Sequence, residues 1–239
     1  MKGRYRRPGI GNPLDRQALL ASHPFFRGLD KSITSELAPR ALTRPLQKGA
    51  VLFRKGDPGS SLYAVIRGAI RISAPSETGA DAVLNLMIPG DVFGEVAMLD
   101  RGTRSADATA IESSDLLVME RRDFLPLLRS HPDLAIRVIE VLCARVRRTS
   151  EQIEDIMFLD LPNRLAKALL LLDMRSQGDT EQQIHITQRE LSQMIGASRE
   201  STNKQLRRWH RQNIIRIERA RVAVLEPEAL ETIIESVQP

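Results

Sequence analysis

Apolar residues along this chain change their period twice. From 15 to about 40, Leu19, Leu20, Phe25, Phe26, Ile33 and Leu37 recur at helical spacing. From about 44 to 120 the pattern breaks into short apolar runs closed by turn residues. Val51–Phe53 precedes Gly56-Asp57-Pro58-Gly59, and Leu62–Ile66 precedes Arg67-Gly68. Ile70–Ser73 alternates strictly, Val83–Ile88 ends at Pro89-Gly90-Asp91, and Ala106–Ile111 and Leu116–Met119 follow. Many short strands at regular spacing predict a β-sandwich or barrel of jelly-roll type.

The helical period returns from about 122 to 158. Ile139, Leu142, Val146, Thr149, Ile153 and Ile156 fall at alternating spacings of three and four, which is the seam of a coiled coil. The stretch is short, so this pattern alone equally describes a helix packed on its own domain. Asp160-Leu161-Pro162 is a helix-start signal, a capping carboxylate with proline in the first turn. It places the end of the long helix, a hinge and a domain boundary at Asp160. A further helix is expected from about 161 to 175 through Leu165, Leu169 and Leu172.

Beyond it, Thr187-Gln188-Arg189-Glu190 is a capping box opening a helix whose apolar face is Leu191, Met194 and Ile195. Gly196 fits a turn, and Ser198 caps a second helix from Arg199 to about His210. Thr202, Leu206 and Trp209 line the inner side of that helix, and Arg199, Glu200, Asn203, Lys204, Arg207 and Arg208 the outer. Helix, glycine turn and basic helix form a helix-turn-helix pattern. Ile214–Ile217 and Arg221–Leu225 read as two short strands of a wing, with Arg219-Ala220 at its turn.

Composition narrows the class. The 239 residues are 42% hydrophobic, enough for real cores in one or two domains. An apolar run such as Ala168–Leu172 is far too short for a bilayer, and the basic N-terminus has no apolar core behind it. A cytoplasmic protein without a membrane partner is therefore expected. Cys143 is the single cysteine, and the four histidines show no ligand spacing, so no metal site is predicted. Net charge is +5 and the pI about 9.8. That charge is concentrated between Arg199 and Arg221, where eight basic residues face only Glu200 and Glu218. Such a segment matches the electrostatic footprint of a nucleic-acid surface. Residues 1–14 read as a flexible basic arm.

The candidate ligand chemistry lies in Phe93–Leu99 and in Arg104-Ser105-Ala106. Gly94 lets a ligand approach the backbone. Glu95 accepts hydrogen bonds from sugar hydroxyls, the Arg104 fork matches phosphate oxygens, and Ser105 adds a hydroxyl. Together they suit a small, singly charged nucleotide. On the outer side of the second helix, arginine and lysine donate to guanine, glutamate accepts from cytosine and asparagine pairs with adenine.

From about residue 20 to 225 these features resemble the Crp/Fnr family of bacterial transcription regulators. The resemblance implies an α+β chain: a cyclic-nucleotide-binding β jelly roll over 15–121, a dimerisation helix region over 122–159 and a winged helix-turn-helix over 160–239. Gly94 and Glu95 match the family's glycine and ribose-binding glutamate, and Arg104 and Ser105 its phosphate-binding arginine and hydroxyl, with Val96 and Ala97 in the same cassette. Gly56–Gly68 is also similar, departing at Ala64, where a larger apolar residue is usual. Anchored on Phe158-Leu159-Asp160, the resemblance puts Thr149 and Ser150 against the adenine in cAMP-responsive members, Ser150 reaching a nucleotide in the partner subunit. It makes Arg199, Glu200 and Lys204 base-contacting within a DNA-binding set that includes Thr187, Ser198, Asn203 and Arg207. Lys204 stands where the cAMP receptor protein has arginine, and lysine lacks the bidentate fork. The Fnr branch's cysteine ligands are absent.

The expected function is a non-enzymatic, dimeric DNA-binding regulator switched by cAMP as allosteric ligand. Its partners would be palindromic double-stranded DNA, a second copy and RNA polymerase. The alternative keeps the DNA role but is ligand-independent or responsive to cGMP or cyclic di-GMP. A phosphodiesterase using Glu95 and Arg104 finds no metal cluster, P-loop or nucleophile–base motif. A kinase or channel subunit is disfavoured by the single cassette and the helix-turn-helix.

Overall fold

The computed structural model describes residues 13–75, 81–176, 186–218 and 221–235. The basic arm, His185 and the Arg219-Ala220 turn fall, wholly or mostly, outside the described residues. The chain divides into two compact units, one drawn from Met1–Pro75 and Leu84–Cys143, the other from Ser76–Val83 and Ala144–Pro239.

The first unit opens with helices α1 (Pro13–Ser22) and α2 (Lys31–Leu37). The expected single helical stretch over 15–40 is thus broken. Gly28 takes φ +84° in the connection, a conformation only glycine adopts without strain, and Asp30 caps α2 by accepting from the Ser32 amide at 2.7 Å. Eight strands follow: β1 (Leu42–Leu46), β2 (Val51–Phe53), β3 (Ser61–Arg67), β4 (Ile70–Pro75), β5 (Asp81–Met87), β6 (Val92–Phe93), β7 (Asp107–Ala110) and β8 (Ser114–Glu120). They form two four-stranded sheets in the orders β1-β8-β3-β6 and β2-β7-β4-β5. Of these, β1 and β6 gave no clear signal in sequence, because β1 carries Pro45 and an exposed face and β6 has two residues. Between the sheets lies a core of Leu52, Val65, Ile70, Phe93, Ala108 and Leu116 with their neighbours. A second core joins the outer side of β3 and β8 to the helices through Phe26, Leu62, Met119, Phe124 and Leu134. Ala64 is fully buried in it.

A short helix α3 (Glu95–Asp100) lies between β6 and β7, within a region whose apolar pattern marks only strands and turns. The helical region after β8 is also split, into α4 (Arg121–Ser130) and α5 (Pro132–Phe158). His131 is non-helical at φ −126°, ψ 89°, as expected before a proline.

The second unit holds the rest of α5, then α6 (Leu161–Ser176), α7 (Gln188–Met194), α8 (Arg199–Arg211), β9 (Ile215–Glu218), β10 (Arg221–Val224) and α9 (Pro227–Glu235). Asp160 caps α6, accepting from the Asn163 amide at 3.1 Å and its side chain at 2.6 Å. β9 and β10 pair antiparallel, β9 one residue later than its apolar run indicated. Helix α9 follows the wing, beyond the two strands that the apolar pattern marks. It packs on α6 through buried Leu230 while Glu228 and Glu231 face solvent.

Candidate nucleotide and DNA sites

The β6–α3 corner and the loop before β7 bring Gly94, Glu95 and Arg104 together although they are far from Phe53, Ser61 and Tyr63 in sequence. Strand pairing closes that gap. β3 pairs with β6 through Tyr63 and Phe93, and β2 with β7 through Phe53 and Ala108. Beside them the Arg104 main chain is held by the Gly56-Asp57 turn: its amide donates to the Asp57 carbonyl, and its carbonyl accepts from the Gly56 amide, both at 2.8 Å.

The Arg104 side chain is buried. Its Nη1 donates to the Ser61 carbonyl at 3.0 Å and the Gly94 carbonyl at 2.9 Å. Its Cζ lies 4.4 Å from the centroid of the Phe53 ring and 5.4 Å from that of Tyr63, so two aromatic faces support the cation. Its Nε is buried without a hydrogen-bond partner among the described residues. A buried guanidinium is costly without full compensation, and neutral carbonyls and rings supply only part of it. The cradle is tight. A Cβ at Gly94, where φ is +84°, would stand 2.8 Å from Arg104 Nη1 and 2.9 Å from the Ser61 carbonyl oxygen. A Cβ at Gly59 would stand 2.5 Å from Arg104 Nε.

Glu95 opens α3 and is buried, as is Ala97, whereas Val96 and Ser105 are exposed. The far end of the helix is held by Arg121, whose Nη1 donates to the Leu99 carbonyl at 3.0 Å. Buried acid and base with an exposed hydroxyl beside them make a place for a compact anion bearing hydroxyl groups. Phe53, Gly59 and Tyr63 were not singled out from the sequence. Nothing in their spacing signals a cradle, because strand pairing brings them to it.

Thr149 and Ser150 lie on α5 within the second unit and are exposed, with Ser150 Oγ donating to the Val146 carbonyl at 3.1 Å. Among the seam residues Ile139, Val146, Thr149, Ile153 and Ile156 are exposed, while Leu142 is half-buried against the core of the first unit. An apolar row this long is unusual on an open surface.

In the helix-turn-helix, the Thr187 side chain accepts from the Glu190 amide at 3.1 Å, and the Glu190 carboxylate accepts from the Thr187 amide at 2.9 Å. Thr187 Oγ1 also donates to that carboxylate at 2.7 Å. Gly196 turns the chain at φ +63°, and Ser198 caps α8 by accepting from the Ser201 amide at 3.1 Å. Thr202, Leu206 and Trp209 are buried, so the outward face of α8 carries exposed Arg199, Glu200, Lys204 and Arg207, with Asn203 half-buried. This face has the donors and acceptor needed to read base edges.

Comparison with known proteins agrees with both halves. Residues 43–131 match the cyclic nucleotide-binding domain model, and residues 163–233 the Crp-like helix-turn-helix domain model. A CRP-like cAMP-activated global transcriptional regulator of Mycobacterium tuberculosis strain H37Rv is 32% identical over 216 residues, covering 89% of this chain and 96% of its own.

The chain belongs to the Crp/Fnr family.

It is a DNA-binding transcription regulator with a cyclic nucleotide-binding domain, and the matched relatives are regulators rather than enzymes. The catabolite activator protein of Thermus thermophilus is 31% identical, with a TM-score of 0.52 over 90% of this chain and all of its own. The cyclic-di-GMP-responsive regulator CLP of Xanthomonas campestris shares the fold at 22% identity, with a TM-score of 0.68 over 82% of this chain and 99% of its own. Among the described residues no helix is long and apolar enough to cross a membrane.

Proposed function

We propose that this Crp/Fnr protein is a cytoplasmic homodimer that binds cAMP and, in response, binds palindromic DNA and engages RNA polymerase. The observation that carries the ligand reading is Arg104, a buried cation on two aromatic rings with Nε unpartnered among the described residues. A phosphodiester supplies the missing negative charge and acceptor atoms. Ser105 adds its hydroxyl to the phosphate, Glu95 accepts from the ribose 2′-hydroxyl, and the backbone at Gly94, Val96 and Ala97 borders the sugar. The cAMP activation of the M. tuberculosis relative supports adenine as the base.

Dimerisation follows along Ile139, Leu142, Val146, Thr149, Ile153 and Ile156. Thr149 and Ser150 meet the purine across that seam, so ligand binding biases the two α5 helices. Asp160 acts as the hinge beyond which each α8 is aimed. In the DNA-binding state the two recognition helices sit about 34 Å apart, one turn of DNA. A coupling of about 1–3 kcal/mol is enough for a 5–150-fold change in DNA affinity. Thr187 and Ser198 lie at the N-termini of α7 and α8, where they approach phosphates. Arg199, Glu200, Asn203, Lys204 and Arg207 face the groove.

Calorimetry against cAMP, cGMP and cyclic di-GMP, paired with selection of DNA sites with and without each, tests this reading. cAMP is expected to bind through Arg104 and to tighten binding to a twofold-symmetric site. Tighter binding of another nucleotide overturns the base assignment. DNA affinity unaffected by any of the three overturns the switch.

A further inference from the structure

The last turns of α5, the middle of α6 and the end of α7 enclose a groove of about 80 Å³. Its apolar wall is Ile156, Ala168, Leu171, Met194 and Ile195, and its rim carries the Asp155–Lys167 ion pair at 2.7 Å. Ile156 belongs to this wall and to the α5 seam at once. It is 57% exposed, and its Cδ1 lies 3.9 Å from where a Cβ at Gly196 would stand. The seam therefore continues into the turn of the helix-turn-helix.

Heptad geometry says what lies opposite. With Ile139, Val146 and Ile153 as one core set and Leu142, Thr149 and Ile156 as the other, Gln152 immediately precedes a core position and Met157 immediately follows one. In a parallel pair of helices the first kind of flank faces the second kind on the partner, five residues on. Gln152, at the mouth of the groove, thus faces Met157 of the partner subunit. Met157 is an apolar side chain, 68% exposed, at a flank position that ordinarily carries charge. A flexible thioether suits an irregular apolar gap.

We propose that Met157 of the partner subunit seats in the groove between α5, α6 and the helix-turn-helix turn, so that each DNA-reading unit is completed by the other protomer's long helix. The proposal rests on the dimer reading above. It makes the orientation of α8 a property of the pair, because the α7–α8 turn is braced from both chains.

The test uses the full chain in a Cys143→Ser background, oxidised with and without cAMP and run on non-reducing gels. Val146→Cys, in the seam, is expected to shift to dimer mass and reports the dimer alone. Met157→Cys with Met194→Cys is expected to shift to dimer mass, whereas each single variant stays monomeric on the gel. A linked Val146→Cys with the double variant unlinked in both conditions overturns the groove contact and leaves the dimer standing. If Val146→Cys is also unlinked, both fall. As an independent measure, Met157→Glu is expected to speed hydrogen exchange at the amides of Met194–Gly196 in the dimer, and unchanged exchange counts against the contact.

Discussion

Asp155 and Lys167 form an ion pair 2.7 Å long across the break between α5 and α6. Asp160 lies between them, and Arg164 adds a 3.4 Å hydrogen bond from Nη1 to the Ile156 carbonyl. The proposed hinge is therefore held by side chains on both of its sides. Lys167 is nearly half exposed, so the pair contributes at most about 1 kcal/mol. Lys167→Met is expected to lower the unfolding free energy measured in urea by up to that amount, and the difference is expected to shrink in high salt. A variant as stable as the parent at low salt would show that the pair holds nothing.

Arg104 and Ser105 are expected to separate in binding measurements. Hydrogen bonds to a charged group contribute about 1.5–3 kcal/mol, so Arg104→Ala is expected to weaken cAMP by about 10- to 150-fold. The variant also removes the Arg104 hydrogen bonds to the Ser61 and Gly94 carbonyls, so its folding is checked by circular dichroism. Ser105 is exposed, and Ser105→Ala is expected to weaken binding only several-fold with the melting temperature unchanged. Equal cAMP affinity in both variants and the parent would remove the cassette from the mechanism.

Gly94→Ala and Gly28→Ala form a controlled pair. Both glycines have φ +84°, but a Cβ at Gly28 meets nothing within 4 Å, whereas at Gly94 it meets Arg104 and Ser61. The left-handed conformation alone costs about 1–2 kcal/mol for an alanine. Crowding is expected to add about 1–3 kcal/mol at Gly94, and to reduce cAMP affinity there only. Chemical denaturation and calorimetry of both variants check this.

Burial pushes the His23 imidazole below its usual range, and the Val65 backbone and Asp91 carboxylate pull it back only in part. Its folded value lies below its unfolded value of about 6.5, so the unfolded chain binds the extra proton first. His23 therefore costs nothing above that pH and destabilises the fold as pH falls below it, until the folded value is passed. Urea midpoints for the parent between pH 8 and 5 are expected to decline more steeply than those for His23→Gln. Parallel profiles would exclude His23 as the source.

Lys204→Arg restores a bidentate fork on the outward face of α8. A well-placed bidentate pair discriminates against the wrong base by about 1–3 kcal/mol. Site selection with the variant is expected to give a sharper preference at one symmetric pair of positions, with non-specific affinity unchanged. An identical selected motif would place Lys204 on phosphate.

Much of this fold is legible residue by residue. Asp160 ends one helix and starts the next, the Thr187–Glu190 box opens α7 and Ser198 opens α8, because a cap acts within one helical turn. Alternation over Ile70–Ser73 and the short apolar run Leu62–Ile66 closed by Arg67-Gly68 mark strands for the same reason: these signals are local. Elements with weak local signals escaped. β6 has two residues, α3 six, and the apolar side of α9 only becomes meaningful against α6 and buried Leu230.

Local signals in the sequence fix the order of the well-marked strands and helices, the two motifs and the chemical types within them: glycine, carboxylate, arginine and hydroxyl in one, a capped basic helix in the other. What those side chains experience is set by packing. Arg104 is a buried cation because β2 and β3 carry Phe53 and Tyr63 beneath it and Ser61 and Gly94 turn their carbonyls toward it, residues up to 51 positions away in the chain. Spacing sets which groups are present; burial and distance set their energies, and those arise only when strands distant in sequence pair.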